Sequence, residues 1–424
     1  MEAQLRLTGD AVGQAVWRAG IGAVLLALGA GTAQAQSSIF GPETLHGFAD
    51  LRLSAANGEA SWLDGGFGKT SVSGGGDGLS LAGAALEWKP RFNFALSGVV
   101  TAELQPRLDP QADLGEAYLK YRGPPAPWGR VSVRAGLFYP PVSLEHEGVA
   151  WTDPDMLTAS AVNSWIGEEV KVGGLEATVD RRLGAHEVSA TAGVFGWNDT
   201  AGTLLTFRGW ALHEVRTGAH TDFGLPPLSA YMKPKQAPDT YPVLELDNRA
   251  GFYGRLEWRP PAPVVLNATY YDNAGDRIAV RDKQWAWETR FLNLGARVQV
   301  DARTRILAQA MSGETLMGYR AAGGHWVDMG FHAAYLMASR AYGEHQLSAR
   351  ADWFETNDRT YQIVDNNDET GWALAAAWRQ HLNDHAAVLF EALHVESDRP
   401  SRALAGATPR QDQTVLQSAL RLSF

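Results

Sequence analysis

The feature that most constrains this chain is an alternation. From about residue 43 to the C-terminus apolar side chains recur at every second position, and stripes at the 3.6-residue spacing of an amphipathic helix are hard to find. The clearest run is Arg91 to Leu104, with Phe92, Phe94, Leu96, Gly98, Val100, Ala102 and Leu104 on one face. Asn93, Ala95, Ser97, Val99, Thr101 and Glu103 make the other. At the C-terminus Leu416, Leu420, Leu422 and Phe424 oppose Gln413, Gln417, Arg421 and Ser423. Further stretches fall at 43–55, 80–89, 114–122, 130–138, 169–181, 186–197, 250–259, 264–273, 287–299, 304–312, 327–339, 345–356, 370–380 and 386–397. Sixteen strands result, each near the ~9–11 residues that carry a tilted strand across a bilayer.

The connections sort themselves. Short ones (Lys89-Pro90, 123–129, 182–185, 260–263, 300–303, 340–344 and 381–385) alternate with long ones at 56–79, 105–113, 139–168, 198–249, 274–286, 313–326, 357–369 and 398–411. A soluble β-sandwich has no reason to order its loops this way. A transmembrane barrel does, with tight turns at one rim and long external loops at the other. Trp88, Tyr121, Trp197, Trp258, Trp353, Trp372 and Trp378 cluster near strand ends, where a half-apolar, half-polar ring suits a membrane interface. The expected fold is all-β: a transmembrane antiparallel β-barrel of about 16 strands, with both termini on the periplasmic side.

Residues 1–35 read as a secretory signal peptide. An apolar run from Ile21 to Ala33 follows Arg18 and precedes a small-x-small pattern at Ala33-Gln34-Ala35, which places cleavage before Gln36. The run is too short for a permanent anchor. The mature barrel is then 36–424, and its location the outer membrane of a Gram-negative bacterium. A mean hydropathy of -0.21 excludes a bundle of membrane helices. A net charge of -10 without a basic cluster argues against nucleic acid. With no cysteine, thiolate metal sites, disulfides and thiol nucleophiles are excluded.

Leu114–Tyr121 (LGEAYLKY), Arg134–Glu147 (RAGLFYPPVSLEHE) and Ser164–Glu169 (SWIGEE) give the chain a family likeness. Together with the strand count they resemble the sixteen-stranded outer-membrane porins, particularly the phosphate- and polyphosphate-selective group. The resemblance implies a water-filled channel for passive diffusion of small hydrophilic solutes or ions, without enzymatic activity or cofactor. It also implies a homotrimer, contact with outer-membrane lipid and lipopolysaccharide, insertion by the barrel-assembly machinery, and Phe424 as the insertion signal. The third long connection, 139–168, would fold inward as the constriction, and 198–249 would be a long external loop.

The 139–168 segment carries Glu145, Glu147, Asp153, Asp155 and Glu168 and no lysine or arginine. A constriction of one charge sign enriches its counter-ions, so these five point to cations or neutral solutes. Alternation assigns Arg52, Arg91, Arg130, Arg134, Arg255, Arg297 and Arg350 to the lumen wall, with Glu103, Glu116, Glu257 and Asp352. Facing lipid at mid-depth, an arginine would cost ~2–4 kcal/mol. Lysine supplies only seven of the 37 basic residues, and they are scattered. An oxyanion channel is therefore the alternative, and a barrel hydrolase or a plugged structural barrel stand further off.

Enzyme motifs are incomplete. Gly66–Thr70 (GFGKT) ends like a phosphate-binding loop, but Leu63 stands where its first glycine belongs. His213-Glu214 opens like a zinc-protease helix, but Thr217 replaces the second histidine. His381 and His385 bracket a turn, and no Gly-x-Ser-x-Gly elbow occurs. No metal site is expected.

Overall fold

The structure, a computed structural model, describes residues 39–74, 78–321, 324–360 and 366–424. The signal-peptide reading of 1–35 lies outside the described residues. Sixteen strands form one closed antiparallel barrel, each paired with its neighbours in sequence. They are β1 (Leu45–Ala56), β2 (Gly78–Trp88), β3 (Leu96–Leu104), β4 (Ala112–Arg122), β5 (Arg130–Phe138), β6 (Val172–Leu183), β7 (His186–Gly196) and β8 (Gly251–Arg259). The circuit continues through β9 (Val264–Asp272), β10 (Glu288–Asp301), β11 (Thr304–Ala321), β12 (Gly324–Tyr342), β13 (His345–Asp358), β14 (Glu369–Asn383), β15 (Ala386–Asp398) and β16 (Arg410–Ser423). β16 closes on β1, with Phe48 opposite Ser423 and Ala56 opposite Val415. Closure leaves no sheet edge unpaired.

Period-two alternation decides which side chains face out. Leu256, Trp258, Leu292, Leu294, Leu336, Trp353, Trp372, Leu374, Phe390 and Leu416 are exposed large apolar groups on the outer wall. Among the described residues no helix is long and apolar enough to cross a membrane.

Two sequence expectations need correction. The long connection expected at 313–326 does not exist. The alternation runs on through Leu316 and Val327, so β11 and β12 pair as far as Ala321 and Gly324. Arg91 is not on the lumen wall: β3 begins at Leu96, and Arg91 lies exposed in the turn before it. The Asn93 side chain accepts from the amides of Ala95 and Leu96 at 2.8 Å each, an Asx turn that interrupts the strand.

The inner wall is not uniform. Over β10–β16 it carries Phe291, Leu307, Met311, Phe331, Tyr335, Met337, Phe354, Ala373, Ala375, Ala377, Leu393 and Val395, all buried. Helix α1 (Ala161–Glu169), inside the connection between β5 and β6, packs its Val162, Trp165 and Ile166 into this surface. Full burial of each such side chain contributes ~1.5–3 kcal/mol. Close approach needs small partners: at Gly193 a Cβ would collide with the Tyr253 ring, and at Gly371 with Phe354.

A second segment fills the rest. Residues 198–213 of the connection between β7 and β8, including α2 (Thr203–Arg208), are all buried. Expected to stand outside the barrel, this arm instead descends into it. Thr289 on the inner wall reaches the carbonyl of Ala201, and the Trp210 amide donates to Glu369 at 2.9 Å. The remainder of the connection forms a small ladder, Phe223–Gly224 against Asp239–Thr240.

Candidate functional site: the constriction inside the barrel

Pro140 and Pro141 end β5, and the chain turns into the lumen. Trp151 is sandwiched between Tyr139 (3.9 Å between ring centres) and His146 (3.7 Å). This stack holds a turn in which Ala150 and Trp151 are both left-handed, with φ of 53° and 57°. For residues with a side chain that conformation costs ~1–3 kcal/mol each. Ala150 is further tied by its amide to Glu87 on β2, at 3.3 Å.

From there the loop follows the wall. Glu147 meets Arg297 and Arg305, the latter at 3.1 Å. Asp155 binds Arg305 at 2.5 Å, Ser339 at 2.8 Å and Gln346 at 2.6 Å. The amides of Leu157 and Thr158 donate to Glu391 at 2.7 and 3.2 Å. Glu145 accepts from the Ser160 amide and from Asn163, and lies 3.5 Å from Arg350. Arg350 also binds Asp352 at 2.8 Å and the carbonyls of Thr158 and Ala159. Asp352 receives the Ala161 amide at the start of α1.

The two inner segments are locked at the end of α1. Glu168 takes Arg208 as a forked pair and His213 at 2.7 Å. Burial alone would raise the Glu168 carboxyl, but Arg208 and His213 hold it down at about 2. Its neighbour Glu169 accepts the amides of Leu204 and Leu205, capping α2, at 2.9 and 3.1 Å. Burial, followed by the charge of Glu168, pushes Glu169 up to about 7.

On the β1–β2–β16 side a cavity of about 30 Å³ lies between loop and wall. Asp50, Arg52 and Arg421 line it from the wall, His146 and Asp153 from the 139–168 segment, and Glu214 and Arg216 from the second segment. Arg52 pairs with Asp50 at 2.8 Å and Glu214 at 2.9 Å. Arg216 pairs with Glu103 at 2.8 Å. On β4–β8 the inner wall is polar and partly open. There Arg134 binds Glu176 at 2.8 Å and lies 4.0 Å over the Phe138 ring. Arg255 binds Glu257 at 2.5 Å, and Arg130 stands opposite Asp180 in register. Glu116 is buried and receives the Tyr139 amide at 3.2 Å.

No family model matches this chain, and no curated protein matches it in sequence. Among solved structures, the outer membrane channel DcaP of Acinetobacter baumannii aligns with a TM-score of 0.54 at 11% identity, over 90% of this chain and 96% of that one. An anion-selective porin from Comamonas acidovorans aligns with a TM-score of 0.50 at 11% identity, over 90% and 99%. The fold is that of an outer-membrane channel. At this identity the likeness concerns the barrel alone, and the residues inside it have to be read from their own contacts.

Four of the five acids assigned to the constriction hold cations: Glu145, Glu147, Asp155 and Glu168. Asp153 does not, and accepts only the amides of Asp155 and Met156. Of the wall arginines, Arg52, Arg134, Arg255, Arg297 and Arg350 each bind an acid. Phe424 pairs with Gly47 through two backbone hydrogen bonds of 3.1 Å, its ring lying over that glycine. Sequence reasoning missed Arg305, Glu214 and Arg216. Arg305 is in phase with the lumen face of β11, so alternation could have found it. Glu214 and Arg216 lie in irregular chain, where no periodic signal exists.

Proposed function

We propose that this chain is an outer-membrane porin, passing small hydrophilic solutes by passive diffusion through the part of its lumen that α1 and its loop leave uncovered, along β4–β8 and the cavity beside β1, β2 and β16. The observation that carries this reading is the charged cavity there, walled by the barrel on one side and by two inward segments on the other. Arginines facing acids across a narrow gap set up a transverse field, in walls of low dielectric that strengthen it. The protein would be secreted by its 1–35 leader, inserted with Phe424 as signal, and would work as a trimer among outer-membrane lipid and lipopolysaccharide. It would act as a conduit and not as an enzyme.

The oxyanion alternative, which the resemblance to phosphate-selective porins and the arginine content both suggest, is weakened by the ion pairs of the wall arginines. An arginine already bound to an acid offers an anion little net charge. A plugged barrel is the second reading, favoured by the complete burial of 198–213 inside the lumen.

Reconstitution of the mature chain in a planar bilayer under a salt gradient decides between them. A porin gives discrete current steps, with a reversal potential that sets cation against anion preference. Anion preference with block by added phosphate would favour the oxyanion channel. A silent bilayer would favour the plug.

A further inference from the structure

The first stretch of the connection between β7 and β8 follows the inside of the barrel mouth most of the way round. Asn198 receives the Tyr271 hydroxyl of β9, and the Ala201 carbonyl receives Thr289 of β10. The Thr206 carbonyl binds Arg399, just past β15, at 2.7 Å, and the Trp210 indole reaches the Glu355 carbonyl of β13 at 2.9 Å. Glu214 pairs with Arg52 of β1 and Arg216 with Glu103 of β3. The turn at 218–221 then closes on Asp113 of β4, which accepts from the His220 amide and the Thr221 hydroxyl. Most of these partners lie near the strand ends that carry the long loops.

The ring so formed is filled from the connection between β1 and β2. Trp62 of that connection is 1% exposed, 5.0 Å from the His213 ring and 5.7 Å from Phe223. The Arg208 guanidinium stands 4.7 Å over its indole. Lys69, from the same connection, accepts the Leu212 amide on its carbonyl at 2.7 Å. Trp62, Leu204, Phe207, Val215 and Phe223 belong to a buried apolar cluster separate from the one around α1. At both roots of the β7–β8 connection a residue with a side chain is left-handed, Trp197 with φ of 63° and Asn248 with 59°. Strained backbone of this kind collects at switch segments, where a few residues absorb the change.

We infer that residues 198–221, with Trp62 as their stopper, are a gate at the external mouth, closed in this structure. Solute crosses when the arm swings out on Trp197 and Asn248, while α1 and the 139–168 loop stay on the wall. A segment buried across the mouth stands in the way of whatever passes, so a porin of this build has to move it. Opening breaks the pairs of Glu168 with Arg208 and His213, and parts Trp210 from Trp165 and Phe331. Between arm and wall the contacts are separate hydrogen bonds and ion pairs, each modest in net strength once water replaces it. This inference rests on the porin reading, and it turns the plug from a rival of that reading into its closed state.

The test is a covalent lock, read as current through the mature chain in planar bilayers. The chain has no cysteine, so Gly218→Cys with Asp113→Cys offers a single disulfide between arm and wall. A Cβ at 218 would lie 2.6 Å from that of Asp113, and the turn eases by about 1 Å to reach the usual bridge spacing. The expected result is silence in the oxidised pair and discrete steps once reductant is added, with each single variant conducting in both buffers. Trp62→Ala, which removes the stopper, should raise the ratio of open to closed time about tenfold, the size of one buried cation–π contact, with the step height unchanged. It decides alone if the pair does not oxidise or assemble. Full current through the oxidised pair, or an open fraction untouched by Trp62→Ala, would overturn the gate and leave the porin reading standing. Silence of the unaltered protein, the reduced pair and Trp62→Ala alike would bring down both, in favour of a fixed plug.

Discussion

The two halves of the inner wall differ in how far they are covered. Over β10–β16 the inner face interleaves Phe291, Leu307, Met311, Phe331, Phe354 and Leu393 with Asn293, Gln309, Ser339, Arg350, Asp352 and Glu391, all buried against α1 and the segments around it. Over β4–β8 it is Arg134, Glu176, Asp180, Thr191, Arg255 and Glu257, partly open. An antiparallel strand in a membrane must be apolar outside, while its inner face is polar either toward water or toward buried partners. The difference teaches where the water is. An inner wall whose apolar groups pack on α1 and whose charged groups bind the loop acts as a docking surface, and it places the inward segments against one side of the barrel.

The largest effects are expected on the covered side. Trp165→Ala removes the side chain that α1 drives into Phe291 and Phe331, 5.4 and 5.1 Å away between ring centres. A loss of ~3–5 kcal/mol in stability is expected by denaturant titration, with raised single-channel conductance as the loop loosens. Arg350→Met leaves Glu145 and Asp352 buried without their cation and should cost ~3–5 kcal/mol. An effect below about 1 kcal/mol in both variants would break the comparison.

A smaller, pH-dependent effect belongs to the joint between the two segments. Glu169 is held up at about 7 by burial and by Glu168, above its unfolded value. A carboxyl raised on folding binds its proton in the native state, so the stability it contributes is present at low pH and lost as pH rises through about 7. Seating of α1 on α2 should therefore weaken across neutrality, seen as rising channel noise between acid and alkaline buffer. Glu169→Gln should flatten that profile. A profile unchanged by the substitution would detach the joint from this residue.

The smallest effect on stability is expected on the open side. Arg130, half-exposed on β5, should tolerate Arg130→Gln within ~0.5 kcal/mol, while shifting the reversal potential toward cations. A large destabilisation there would mean that the two halves of the wall are not so different.

The barrel was legible in the sequence because lipid imposes period two on every strand. Fourteen of the fifteen connections fell in order for the same reason, and the last strand revealed itself through the alternation that ends on Phe424. The failures have equally physical origins. At Arg91 an Asx turn mimicked alternation, and around Leu316 a long strand rich in polar and small residues had the look of a loop. Inside the lumen the period ran out. Alternation placed Arg350 and Asp352 on the inner face, but nothing in it told that Glu145 would neutralise with them, or that Asp153 would be left over. Likewise the inward arm at 198–213 lacks any repeat, and its burial is set by tertiary pairs such as Glu168 with Arg208.

The chain contains no cysteine, so single cysteines can be read without background. The most direct test of the account compares Thr152→Cys, beside the cavity, with Ala375→Cys, on the covered wall, in planar bilayers treated with a charged thiol reagent. The account predicts that reagent reduces the current through Thr152→Cys and leaves Ala375→Cys untouched. Rapid block at Ala375→Cys with none at Thr152→Cys would put the water on the wrong side of the barrel and contradict it.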